Sequence, residues 1–215
     1  MNKTLIESVR KEAKMFFDSA KGCHAWDHTE RVLHLALHIG KKEKANLEIL
    51  ELSALLHDTC KQEELDLKGT ICHAEKGALV AKEILKRQNF PIETIDAVVH
   101  CIETHRNRTT KKPLTLEAKI LFDSDKLDAL GAVGLGRSFM CAQEINAKLH
   151  NDKNTDMDKT IEYSKEDTAY RYYYFNSSKS FDKLYTTEGK RIAKERLAYM
   201  ENFFKRLNQE IDGEL

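Results

Sequence analysis

The chain has 215 residues, with Lys+Arg and Asp+Glu balanced at 35 each and a formal net charge of zero. That length supports one domain with a full core. The balance excludes a global field that would draw in nucleic acid or a membrane surface, so an anionic substrate must be met by local charges.

Five cysteines (Cys23, Cys60, Cys72, Cys101 and Cys141) are odd in number and form no C-x-x-C. This argues against a disulfide framework and fits a reducing compartment. The first residues are amphipathic and charged, without the apolar core of a signal peptide, and no run approaches the roughly 20 apolar residues of a membrane span. A soluble cytoplasmic protein is the expectation. Two prolines and nine glycines punctuate the chain. Apolar residues recur at three-to-four spacing, which predicts helices over 3–19, 28–44, 46–57, 72–88, 92–104, 115–129, 132–149, 166–179 and 187–210. No run alternates with period two. The expected fold is an all-α single domain over 1–215, with a core at about 20–130 and C-terminal helices at about 131–210 packing on it.

On the helix over 28–44, Val32, Leu35, Ala36 and Ile39 share a stripe with His28. His34 and His38 fall on the face with Glu30, Lys41 and Lys42; their i, i+4 spacing suits zinc, but the polar surroundings favour a solvated face. The next helix carries the most telling feature, the pair His57-Asp58 at the end of the apolar run Leu52-Ser-Ala-Leu-Leu56. Burying an unpaired ionised group costs several kcal/mol as a rule, so such a pair calls for a partner, and a divalent metal is the obvious one. Residues 58–71 read as a loop. Pro113 and Thr115 mark the start of the helix over 115–129, with Thr115 as N-cap.

On that helix Asp125 stacks with Ala118, Leu121 and Ala129 and faces the core. Asp123 lies towards Lys119 and Lys126, where a surface ion pair is worth little. Leu116, Ile120 and Leu127 make the opposite side apolar too, so facing favours Asp125 without excluding Asp123. Asp128, one turn on, either supports the ligands from behind or is a surface acid. Residues 150–164 are polar and read as a plain loop, with a mobile lid as the alternative. The run Tyr170-Arg-Tyr-Tyr-Tyr-Phe175 reads as a helix packed on the core, with stacking on a nucleobase as the alternative.

His28, His57, Asp58 and Asp125 make a mixed nitrogen/oxygen set. It suits Mn²⁺, Fe²⁺, Zn²⁺ or Co²⁺ and, less well, Mg²⁺, and the absence of cysteine disfavours a structural zinc knot. Four ligands leave room for water and a substrate oxygen.

These residues resemble the HD superfamily of metal-dependent phosphohydrolases, whose pattern is His … His-Asp … Asp on a bundle of helices. The resemblance extends over Trp26-Asp-His-Thr-Glu-Arg-Val32, Leu52-Ser-Ala-Leu-Leu-His-Asp58, His73-Ala-Glu-Lys-Gly-Ala78, Leu116-Glu-Ala-Lys-Ile-Leu-Phe-Asp-Ser-Asp-Lys-Leu-Asp-Ala-Leu-Gly-Ala132 and Glu188-Gly-Lys-Arg-Ile-Ala-Lys-Glu-Arg196. Those blocks are similar to a stand-alone bacterial and archaeal subgroup. The resemblance implies His28, His57, Asp58 and Asp125 as metal ligands. It also implies that His73 and His105 either bind a second ion or line the pocket of a single one, the single ion being favoured. His100 is read as packing. Tyrosines at 170–175 replace a His-Phe element usual in the subgroup, which leaves substrate identity open.

The function this implies is hydrolysis of a phosphate ester or anhydride by a metal-activated water, with a nucleoside triphosphate as the best single substrate. Asp58 would ligate the ion and could orient the water; Arg31 and Lys61 are the nearest cations for phosphate oxygens. His105 could protonate the leaving oxygen if it is not a ligand. No stable nucleic-acid or membrane partner is expected, and a homodimer is compatible with the sequence. The rival readings are a di-iron oxygenase, a non-catalytic nucleotide sensor and a structural metal.

Overall fold

Asn46 separates two helices and starts the second. Its Oδ1 accepts the backbone N–H groups of Glu48 at 3.0 Å and Ile49 at 3.4 Å, donors that a first helical turn otherwise leaves open. The structure, a computed structural model, describes residues 3–18, 25–106 and 111–215. Cys23 and the last residue of the helix expected over 3–19 lie outside the described residues. Among the described residues the regular elements are all helical, as the spacing predicts. No described helix is long and apolar enough to cross a membrane.

The chain divides into two compact units. The first comprises Met1–Asp125 and Tyr185–Gly189. It holds α1 (Lys3–Met15), α2 (Trp26–Glu43), α3 (Leu47–Leu56), α4 (Lys61–Asp66), α5 (His73–Arg87), α6 (Ile92–Thr104) and most of α7 (Leu116–Leu127). Helix α3 is the centre: it packs on α1, α2, α5 and α6. Leu50, Leu52, Ala54, Leu55 and Leu56 are each fully buried, at about 1.5–3 kcal/mol per side chain. The hydroxyl of Ser53 is satisfied by the Ile49 carbonyl at 2.6 Å. Thr115 caps α7 as expected, its Oγ1 accepting the Ala118 N–H at 3.2 Å.

The sequence reading misses α4, which interrupts the loop expected over 58–71. Its stabilising links are polar, Lys61 to Glu64 (i, i+3) and Gln62 to Asp66 (i, i+4), both 2.8 Å, so apolar periodicity does not register it. The helix stops where Lys68 and Gly69 take φ of 51° and 77°.

The second unit comprises Lys126–Leu184 and Lys190–Leu215. It contains α8 (Gly131–Glu144), α9 (Ala169–Tyr172) running into a wider π turn over Tyr173–Ser177, and most of α10 (Thr187–Ile211). The helices expected over 132–149 and 166–179 are thus shorter. Tyr170 and Tyr173 pack on Phe204, with ring centroids 5.3 and 5.0 Å apart, the core-packing role read for the tyrosine run. Tyr172 and Tyr174 are exposed. The polar stretch 150–164 is held by hydrogen bonds: buried Arg171 donates Nε to Thr160 Oγ1 at 2.7 Å, and the Thr168 hydroxyl donates to Asn151 Oδ1. Cys60, Cys72 and Cys101 carry free thiols. Cys141 is disulfide-bonded, which corrects the expectation that the cysteines stay reduced throughout.

Candidate metal centre

The end of α3 delivers two consecutive side chains into the interior. His57 and Asp58 are 0% and 5% exposed. His57 Nδ1 lies 2.8 Å from the Ala54 carbonyl. A carbonyl only accepts, so Nδ1 carries the proton and Nε2 points inward as a lone pair. It faces His28 Nε2, from the first turn of α2, at 3.4 Å. His28 Nε2 also lies 3.4 Å from Asp125 Oδ1 on α7. Asp58 Oδ2 completes this group, 3.6 Å from His28 and 3.7 Å from His57.

The other oxygen of Asp58 belongs to a second group. Oδ1 lies 3.2 Å from His73 Nε2 and 3.5 Å from His105 Nε2, and those two nitrogens are 3.1 Å apart. His105 Nδ1 donates to the Ile102 carbonyl at 2.6 Å, and His73 Nδ1 to Glu64 Oε2 at 2.7 Å. With both Nδ1 atoms committed as donors, neutral rings leave three lone-pair-bearing atoms facing one another in a buried site. A cation, either a proton or a metal ion, must relieve that arrangement. The spacings match neighbouring ligands on a metal bonded at about 2.0–2.1 Å, which sit roughly 3.0–3.4 Å apart. Within each of the sets His28, His57, Asp125 and Asp58, His73, His105, one ligand atom per residue lies within 4.8 Å of the others. The donor set fits a divalent metal, and the sequence-expected ligands and both extra histidines are brought together around Asp58.

Charge agrees with this chemistry. Burial pushes the His57 imidazole down to about 4, outweighing the raising effect of Asp58, and His105 and His28 push the same way. A ring that resists protonation keeps its lone pair for a metal. Burial alone would raise the Asp58 carboxyl, but the surrounding imidazoles of His57, His105 and His73, which favour the carboxylate whenever a proton is held among them, keep it well below the usual carboxylate range.

The two cations expected to meet phosphate oxygens are both engaged. Lys61 Nζ donates to Glu64 Oε2 at 2.8 Å, and Arg31 Nη1 to Asp27 Oδ2 at 2.6 Å. Two residues that the sequence reading passed over, Glu64 and Arg106, belong to this surrounding shell: Arg106 Nη1 donates to Glu64 Oε1 at 2.5 Å. Burial would raise the Glu64 carboxyl, but the bonds from Lys61 and His73 bring it down to about 2. The only sequence signal for Glu64 was its i, i+3 spacing from Lys61.

The remaining acids and histidines sort as follows. His34 is exposed, and His38, half exposed, meets Glu188 Oε1 at 2.9 Å. His100 Nε2 accepts the Leu114 N–H at 3.0 Å, a structural role. Asp128 is buried and paired with Arg137 at 2.8 Å. The surface ion pair expected for Asp123 is wrong. Its side chain is fully buried, accepting the backbone N–H groups of Tyr185 and Thr186 at 2.9 and 2.8 Å, because a segment distant in sequence covers what the helix alone would expose.

A family model described as HD domain matches residues 25–130. YpgQ of Bacillus subtilis, an uncharacterized protein, is 32% identical over 214 residues, which cover 96% of this chain and 94% of YpgQ. The chain belongs to the HD-domain family. Solved structures of HD-domain proteins agree. The crystal structure of YpgQ in complex with ADP has a TM-score of 0.72 at 27% identity, covering 96% of this chain and 95% of that one. An HD-superfamily hydrolase from Bacillus thuringiensis has a TM-score of 0.76 at 25% identity, covering 99% of each chain. An HD superfamily hydrolase from an uncultured Thermotogales bacterium has a TM-score of 0.65 at 26% identity, covering 97% of this chain and 92% of that one. This HD-domain chain therefore has a hydrolase fold with His and Asp groups that could hold a metal.

Proposed function

We propose that this HD-domain hydrolase is a metal-dependent phosphohydrolase that cleaves a nucleotide phosphate ester or anhydride at a site holding two divalent cations. The observation that carries the reading is the division of Asp58: one oxygen faces His28 and His57, the other His73 and His105. His28, His57, Asp58 and Asp125 would hold one cation, and Asp58, His73 and His105 the other. The nucleotide is favoured because YpgQ crystallised with ADP.

Bound there, divalent cations supply Lewis acidity and lower the pKa of a coordinated water. The chain's residues do the rest. Asp58 bridges the two groups and fixes their separation. Asp125, whose side chain is 18% exposed against 5% for Asp58, marks the edge open to substrate. Lys61, three positions after Asp58, and Arg31, three after His28, are assigned to phosphate oxygens: Arg31 would exchange its Asp27 carboxylate for the substrate, and Lys61, with three N–H donors, would keep Glu64 and add the substrate. His105 is assigned to holding a cation and not to protonating the leaving oxygen, since its Nε2 is turned to Asp58.

The test is a screen for phosphate and pyrophosphate release over nucleoside mono-, di- and triphosphates with Mn²⁺, Mg²⁺, Fe²⁺, Co²⁺ and Zn²⁺. Turnover with at least one pair, lost in Asp58→Ala, is expected. Turnover that survives Asp58→Ala, or none with any pair, overturns the reading.

A further inference from the structure

His73 differs from its two neighbours in what orients it. His57 and His105 sit just past the C-terminal ends of α3 and α6, where each Nδ1 reaches back to the carbonyl three residues earlier, Ala54 or Ile102. His73 is the first residue of α5. A helix N-terminus presents N–H groups and has no preceding turn of carbonyls, so the Nδ1 of His73 needs an acceptor from elsewhere. Glu64 is that acceptor, at 2.7 Å. The carboxylate is 6% exposed and is itself held from both sides, Lys61 on Oε2 at 2.8 Å and Arg106 on Oε1 at 2.5 Å.

We propose that Glu64 is the positioning residue of the second donor group: it holds His73 in the Nδ1–H tautomer, aims Nε2 at Asp58 Oδ1, and is kept in register by Lys61 and Arg106. A carboxylate behind a ligating imidazole fixes ring orientation and raises its basicity, and losing such a partner typically weakens metal binding 10–100-fold. This rests on the two-cation reading above. It adds a second duty to Lys61 and gives a role to Arg106, which that reading leaves unused.

The tautomer is read directly by ¹⁵N NMR of histidine-labelled protein loaded with diamagnetic Zn²⁺, where no proton is needed between the Nε2 atoms, and cation number and affinity by calorimetric titration with Mn²⁺. In the unmodified protein His73 is expected as the Nδ1–H tautomer; an Nε2–H ring there overturns the inference without need of any variant. Glu64→Ala is expected to yield mixed tautomers at His73 and to weaken one of two Mn²⁺ ions 10–100-fold, while Glu64→Gln, which keeps an acceptor oxygen, recovers the tautomer and most of the affinity. His73→Ala serves as the reference. If it removes one ion while Glu64→Ala changes neither affinity nor tautomer, the positioning role is wrong and the two-cation reading stands. If His73→Ala leaves the ion count unchanged, the two-cation reading fails, and with it the role assigned to Glu64.

Discussion

Asp123 and Thr186 lie 63 positions apart and share two hydrogen bonds, Oδ2 of the aspartate accepting both the backbone N–H and the hydroxyl of the threonine, at 2.8 and 2.6 Å. The same carboxylate takes the Tyr185 N–H. Thr186 then accepts the Gly189 N–H at 3.0 Å, so one buried side chain organises the start of α10.

Replacing that carboxylate leaves donors without partners inside the protein, at about 1–3 kcal/mol each. Asp123→Ala is therefore expected to destabilise by roughly 3 kcal/mol or more, read from the midpoint of urea unfolding. Gly189→Ala should act at the same place, because an added Cβ would lie 2.6 Å from both Asp123 Oδ2 and Thr186 Oγ1. A loss below about 1 kcal/mol in both variants would contradict the anchoring role.

Divalent cations should stabilise the fold. At a free concentration 100 times the dissociation constant, one ion adds about 2.7 kcal/mol, which for a chain of this size raises Tm by roughly 5–10 °C. Mn²⁺ added to EDTA-treated protein should produce that rise in a thermal melt. Asp58→Ala, lacking the carboxylate common to both donor groups, should show none.

Acid should weaken the metal-free protein earlier than carboxylates alone would explain. His57 takes up its proton only near pH 4 when folded, against 6.5 as its ordinary value. Between those limits the unfolded chain binds one proton more, so stability rises with pH, by up to about 1.4 kcal/mol per unit. Glu64, down at about 2 from 4.5, adds a second loss in the same direction below that range. Urea midpoints of EDTA-treated protein should already fall between about pH 6.5 and 5, and His57→Asn should flatten that part of the curve. A flat profile in the unmodified protein would count against a neutral buried His57.

Arg171 fastens the polar stretch before α9. It is 8% exposed, bonds Thr160 and Asp167, and lies 4.9 Å over the Phe175 ring. Lysine offers a point charge without the planar fork. Arg171→Lys should cost about 1.5–3 kcal/mol locally, seen as faster amide exchange over 157–168 with α10 unchanged.

How far the sequence reading reached depends on where each residue's partner lies. His57 and Asp58 were legible because polar groups ending a fully apolar helix have few explanations, and His28 because the stripe on α2 is one-sided. Helix α7 is apolar on both sides, so facing chose Asp125 yet misplaced Asp123, whose partners arrive from 185–186. Glu64 sits in a stretch without apolar rhythm, and its meaning comes from His73 and Arg106, nine and 42 positions away. Local pattern sees a side chain's own helix; it does not see what another segment brings to it.

The chain passes between the two units three times, after Asp125, Leu184 and Gly189. The piece Tyr185–Gly189 belongs with the histidine-bearing unit, although it is bounded in sequence by residues of the other. The stretch that matches the HD model, 25–130, therefore leaves out part of the compact unit it belongs to. Cut out alone, it would take from the buried Asp123 carboxylate the Tyr185 N–H and both Thr186 donors, at about 1–3 kcal/mol each against a total stability of about 5–15 kcal/mol. The boundary drawn by sequence likeness and the boundary drawn by packing do not coincide in this protein.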